Sequence, residues 1–285
     1  MLRRAFTLVE VLVVIAVIGV ILAMLLPALG SVKESAGEST CASNLKHLGA
    51  ATISYLAAWD DCLPQVAAFN PISGQTEIIG SLFGGKRGKL GMFGINQVGS
   101  DKRPLNKFLG SGVYTVDTDP NDGNDTEDVP YFECPLDRGE PAQPPFLPQV
   151  ESMYDFIGTS YTLNDHSLDG ESCWTLVPRR TPACPCTPGP AIPQRPGGKM
   201  PAVADPSKTW LLGDVPIYNF QEGGDRKQHW HYKDTRVNLC FVDGHVGQGI
   251  KVQPGITNIT KQYSFLPDPD WQSPTSQAQR CVCCP

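Results

Sequence analysis

The sequence predicts an α+β protein in which one long N-terminal helix, hydrophobic and then amphipathic, packs on a loop-rich antiparallel β head. Three observations carry this expectation. The stretch "AFTLVEVLVVIAVIGVILAMLLP" (5–27) is apolar or small apart from Thr7 and Glu10, and roughly 20 helical residues at about 1.5 Å each cross the hydrocarbon core of a bilayer. Beyond it, Cys41, Leu45, Leu48, Thr52, Tyr55 and Trp59 recur at steps of four and three, one stripe of an amphipathic helix. Farther on, "KTWLLGDV" (208–215) and "VNLCFVDGHVGQGIKV" (237–252) alternate as paired strands do, with Asp243-Gly244 placed for a hairpin turn.

The helix is expected from Phe6 to about Asp60, because Pro64 cannot continue it. Its first part (6–29) is apolar all round. Its second part (30–60) is one-sided, and that side is read as packing against a sheet. The head then occupies 61–285. Within it, "TPACPCTPGPAIPQRPGG" (181–198) carries too many prolines and glycines for regular structure.

Composition narrows the function. The chain has 285 residues, a formal charge of −6 and no Lys/Arg-rich block, so a nucleic-acid role lacks its electrostatic footprint. With 28 Gly, 26 Pro and only 18% charged residues, a loop-rich extracytoplasmic domain fits better than a helical enzyme core. Ten cysteines behind an export segment favour an oxidising compartment and several disulfides. Cys41 and Cys62 are poor partners if the helix runs to Asp60, since the nineteen rises from Cys41 to that end span roughly 28 Å against a usual Cα separation of about 4.4–6.8 Å. A head cysteine such as Cys134 is the better partner for Cys41.

Glu10 decides how the N-terminus is read. A carboxylate in a membrane span costs on the order of 2.5–3.5 kcal/mol. A secretory signal peptide cut near "PALGS", or a plain signal anchor held by Arg3 and Arg4, gives that acid no task. "RRAFTLVE" closely resembles the cleavage and methylation signal of type IV prepilins and type II secretion pseudopilins: a short basic leader, a small residue before the cut, then Phe, then a glutamate at the fifth mature position. The resemblance implies a leader of residues 1–5, cleavage between Ala5 and Phe6 with N-methylation of Phe6, and assembly roles for Glu10 and Pro27.

"CASNLKHLG", "RPLNKFLG", "FECPLD", "GTSYTLN", "PSKTWLLGD" and "NLCFVDGHV" resemble the large pseudopilin-like family with an H-x9-DG processing-associated domain. Here the spacing departs from that pattern: His231 and His229 precede Asp243-Gly244 with eleven and thirteen residues between, and Lys233 stands where the family's histidine falls. The motif residues are thus His231, Asp243 and Gly244 in a lengthened form. The resemblance implies a pilin-like fold and a non-enzymatic subunit, inserted in the inner membrane by a single pass with an extracytoplasmic head. Its implied partners are the prepilin peptidase, like or unlike pilin-type subunits and the inner-membrane assembly machinery of a type II secretion or type IV pilus-like fibre. The competing reading is a membrane-anchored binding protein or metal-dependent hydrolase.

Three clusters could carry other chemistry. His229, His231 and His245 hold three of the five histidines, and a pair at i, i+2 on one strand face plus a third nearby could ligate zinc. No complete ligand spacing supports this, so surface histidines around a hairpin are the plainer reading. "DTDPNDGNDTED" (117–128) crowds oxygen donors, and Asp117, Asp119, Asn121, Asp122 and Asp125 form a candidate Ca²⁺ set beside the alternative of a solvated acidic loop. Cys184, Cys186, Cys281, Cys283 and Cys284 lack paired CxxC spacing and read as disulfide staples. No nucleophile elbow, phosphate loop or dinucleotide fingerprint occurs.

Overall fold

A computed structural model describes residues 8–72, 74–110, 115, 127–142, 148–164, 168, 199–220, 224–232, 234–254 and 260–268. Helix α1 spans Leu8–Ala58, 51 residues, or about 75 Å at the usual rise. Side chains from Leu8 to Leu25 are all exposed. The buried face begins at Gly37 and continues through Cys41, Leu45, Leu48, Thr52 and Tyr55, the spacing that keeps one side of a 3.6-residue helix against a partner. Trp59 does not extend this stripe. It follows the last helical residue and is 47% exposed, because the chain leaves the helix through Asp60 and Asp61, both at positive φ.

Among the described residues the head holds two antiparallel sheets. Strands β1 (Val66–Asn70) and β2 (Gln75–Ile79) form one hairpin. Strands β3 (Tyr161–Leu163), β4 (Trp210–Asp214), β5 (Arg236–Phe241) and β6 (Val246–Lys251) form a four-stranded sheet in that order. The chain is therefore α+β. Asp243-Gly244 turns β5 into β6: Gly244 takes φ +88°, a conformation glycine adopts without penalty, and its N–H donates to Phe241 O at 2.9 Å.

Both faces of the sheet are covered. Helix α1 packs on β4, β5 and β6, and Cys41, Leu45, Leu48 and Tyr55 share a core with Phe132, Leu163, Leu212 and Cys240. Helix and strand come close at Gly49, where an added Cβ would collide with Cys240 Sγ. On the opposite face Trp210, Val237, Leu239 and Phe241 pack against Tyr263 and Phe265. This two-sided cover explains why every residue of β4 is buried, where alternation would leave one side in water. A third core joins Ala68 of β1 to Ile157, at the end of the short helix α2 (Met153–Ile157), and to Trp230.

Buried polar groups tie the irregular segments. Arg103 is fully buried and donates to the carbonyls of Val98, Ser81, Gly84 and Ile157. Burial pulls its pKa down to about 9, with the charges of Glu127 and Tyr154 working the other way. Asn164 joins β4 to the C-terminal segment by donating to Trp210 O and Phe265 O at 2.8 and 2.9 Å.

Candidate functional site

Two places on α1 hold charged or reactive groups in apolar surroundings. The first is the N-terminal run. An 18-residue window, Leu8–Leu25, has mean hydropathy 3.1 and none of it is buried within the molecule, so this surface needs an apolar cover from outside the chain. Glu10 lies in its first turn, near the positive end of the helix dipole, which favours an anion. The helix continues through position 27, although proline offers no N–H to its ladder. Ala5 and Phe6 lie outside the described residues.

The second place is the junction between helix and head. Cys41, on the buried face of α1, is bonded to Cys134, just after the Pro130–Phe132 turn, with Cα atoms 4.9 Å apart. Tyr161 of β3 donates its hydroxyl to Cys41 O at 3.3 Å, and Asn44 donates to Glu133 O at 2.9 Å. Beside the disulfide sits His231, whose Nε2 is 3.8 Å from Cys134 Sγ and 3.1 Å from Asp214 Oδ2. The side chains of His231 and Asp214 are both fully buried. Asp214 Oδ2 also accepts the Asn238 N–H at 2.6 Å.

Burial alone pulls the His231 pKa down. The charge and hydrogen bond of Asp214, followed by the charge of Glu38, outweigh that against the opposing Arg138, and the imidazole pKa lies above its ordinary value. A buried charge of this kind is tolerated only when paired and hydrogen-bonded.

This placement corrects the reading of the histidines. The stretch holding His229 and His231 forms no strand, so the i, i+2 face argument fails. His229 lies 3.7 Å from Asp225. His245 is held by Asp243 at 2.6 Å and stacks on Phe241 with ring centroids 4.3 Å apart. These three histidines do not converge on one point; among the described residues, the set of three metal-type ligands that does is Cys41, Cys134 and His231. Nor is His231 a surface group: the chain before β5 folds inward and seats it against the disulfide. Asp243 and Gly244 are turn residues, with Asp243 Oδ1 accepting the His245 N–H at 3.1 Å.

Asp214 escaped the sequence reading. The available signal was a lone carboxylate closing the apolar "TWLLGD" run, which a strand interior accepts only with a partner. The Ca²⁺ set Asp117, Asp119, Asn121, Asp122 and Asp125 lies outside the described residues, as do Cys184, Cys186, Cys281, Cys283 and Cys284.

Residues 1–26 match the family model described as the prokaryotic N-terminal methylation motif. No curated protein and no solved structure matches the chain. The methylation motif is the signal of prepilin peptidase substrates, and the apolar helix supports a single-pass anchor of the pilin kind. The chain thus carries, at residues 1–26, a type IV pilin and pseudopilin signal.

Proposed function

We propose that this protein is a structural, non-catalytic subunit that is stored in the inner membrane and polymerised into a type II secretion or type IV pilus-like fibre. The observation that carries the reading is the bare apolar helix Leu8–Leu25, with an acid in its first turn, inside the stretch that matches the methylation motif. Cleavage before Phe6 creates a cationic α-amine at the membrane-embedded end of the helix. In a bilayer an opposite charge relieves the cost of either ion alone. Glu10 of one subunit then meets the Phe6 amine of a staggered neighbour, which penalises misregistered packing and sets the subunit step. The head, extracytoplasmic and fastened to α1, forms the outside of the fibre.

Glu10→Val tests the assignment. Membrane insertion and peptidase cleavage stay intact, while incorporation into fibres is lost or sharply reduced. Wild-type incorporation of the variant overturns the role given to Glu10. Intact-mass measurement of native protein checks the processing step: mature chains begin at N-methylated Phe6, and loss of Arg3 and Arg4 takes formal side-chain charge from −6 to −8. Native protein beginning at Met1 or at Ser31 contradicts it.

A further inference from the structure

Cys41 comes from the helix, Cys134 from the turn after residue 132 and His231 from the segment before β5. Their ligand atoms all lie within 4.8 Å of one another, and all three residues are buried. A tetrahedral zinc ion, with Zn–S about 2.3 Å and Zn–N about 2.0 Å, holds its sulfur and nitrogen ligands roughly 3.5 Å apart and two sulfurs roughly 3.8 Å apart. The Cys134 Sγ to His231 Nε2 separation is already 3.8 Å. The two sulfurs, now bonded, need to part.

The same corner holds unused polar capacity. His231 Nδ1 and Asp214 Oδ1 are buried without a hydrogen-bond partner, and each orphaned buried group has an energetic cost. We propose that reduction of the Cys41–Cys134 disulfide turns this corner into a site for a soft divalent cation of the Zn²⁺ type, bound by the two thiolates and the His231 imidazole.

The chemistry balances with an external dithiol as reductant. It delivers two electrons and two protons, the S–S bond breaks to two thiols, and the dithiol departs as its own disulfide. The cation then displaces both thiol protons to solvent. Two sulfurs and one nitrogen favour Zn²⁺ over Ca²⁺ or Mg²⁺, which prefer oxygen. Asp214 now holds the nitrogen that the cation takes. The junction between helix and head therefore has two fastenings, a covalent one when oxidised and a coordinate one when reduced.

The test uses full-length protein in detergent, reduced without oxygen, freed of reductant and titrated with Co²⁺ as a spectroscopic substitute for Zn²⁺. One equivalent is expected to give thiolate-to-cobalt charge-transfer absorption and tetrahedral ligand-field bands, with two protons released and full displacement by Zn²⁺. Other cysteines can add their own signal, so variants assign it. Cys134→Ser removes one equivalent, and His231→Gln weakens that equivalent by more than about tenfold, since even outer-shell changes at metal sites cost 10–100-fold. Unchanged cobalt uptake in both variants overturns the proposal. A second measurement needs no variant: in reduced wild-type protein, Zn²⁺ slows alkylation of Cys41 and Cys134, read by peptide mass mapping. Labelling of both cysteines at the same rate with and without Zn²⁺ also overturns it.

Discussion

The two halves of α1 share one backbone and differ in what covers them. From Leu8 to Leu25 the surface is apolar apart from Glu10, and none of it is buried within the molecule. From Gly37 to Leu56 the buried residues lie along one face, and the head covers that face. The first half therefore depends on its surroundings for the burial that stabilises it, lipid in the membrane and neighbouring subunits in the proposed fibre. The second half is stabilised within the chain. A helix built this way can change partners along one half without disturbing its own head, as the proposed transfer from membrane to fibre requires.

Cross-linking is expected to show the largest effect, because the disulfide fixes the covered half alone. Cys41 and Cys134 are 93 residues apart in sequence, and the chain-entropy model assigns a loop of that size about 4–5 kcal/mol. Replacing both cysteines with alanine should lower head stability by up to that amount in denaturant unfolding of the full chain in detergent, while leaving membrane insertion unchanged. Equal loss of insertion would break the separation of the two halves.

The same truncation placed in each half sharpens the contrast. Leu48 is fully buried, and Leu48→Ala should cost about 2–5 kcal/mol of head stability, the range for a leucine deleted from a packed core. Leu22 is 52% exposed, and Leu22→Ala should leave head unfolding within about 0.5 kcal/mol of wild type. A Leu22→Ala penalty comparable to that of Leu48→Ala would mean that the two halves unfold as one unit.

What the sequence disclosed follows the same division. The stripe through Cys41, Leu45, Leu48, Thr52 and Tyr55 is legible because a helix against a sheet repeats every 3.6 residues, and the β5–β6 hairpin is legible because Asp-Gly turns and alternation are local signals. The β1–β2 hairpin has no such signal: "VAAFN" and "QTEII" are short and separated by "PISG". Asp214, His231 and Arg103 are hidden for a deeper reason. Each is buried only because segments far apart in sequence meet there: His231 lies 17 positions beyond Asp214 and 97 beyond Cys134, and Arg103 donates to Ile157 O across 54. No local period encodes such a meeting.

The buried pair makes the covered half sensitive to pH. The folded pKa of His231 is raised above its unfolded value, so the native state binds the proton more tightly. Its contribution is fully present below the unfolded value of about 6.5 and is lost as pH rises through the folded pKa. Head stability should therefore decline with pH above about 6.5 through this group, with Asp214, Glu38 and Arg138 the charges that act on it. Asp214→Asn should flatten that slope and cost about 1.5–3 kcal/mol at pH 6, as expected for losing a hydrogen bond to a charged group. A slope unchanged in Asp214→Asn would assign the titration elsewhere.

The smallest effect is expected at Trp59, and it tests where the covered half ends. By spacing alone Trp59 continues the buried stripe, one turn beyond Tyr55. In the folded chain its N–H is shared between Tyr55 O at 3.0 Å and Leu56 O at 3.2 Å, a tightened last turn, and Asp60 and Asp61 then carry the chain away at positive φ. The indole remains 47% exposed and meets Tyr55 only at a ring separation of 6.1 Å and a tilt of 33°. Tyr55, by contrast, is 4% exposed and packs edge-on against Phe108 at 5.2 Å. Trp59→Ala should change head stability by no more than about 0.5 kcal/mol, the usual range for a surface site, whereas Tyr55→Ala should cost about 3–5 kcal/mol, as other buried aromatics do. Equal costs at the two positions would extend the head's grip a turn farther along the chain and put Trp59 back in the core that its spacing first suggested.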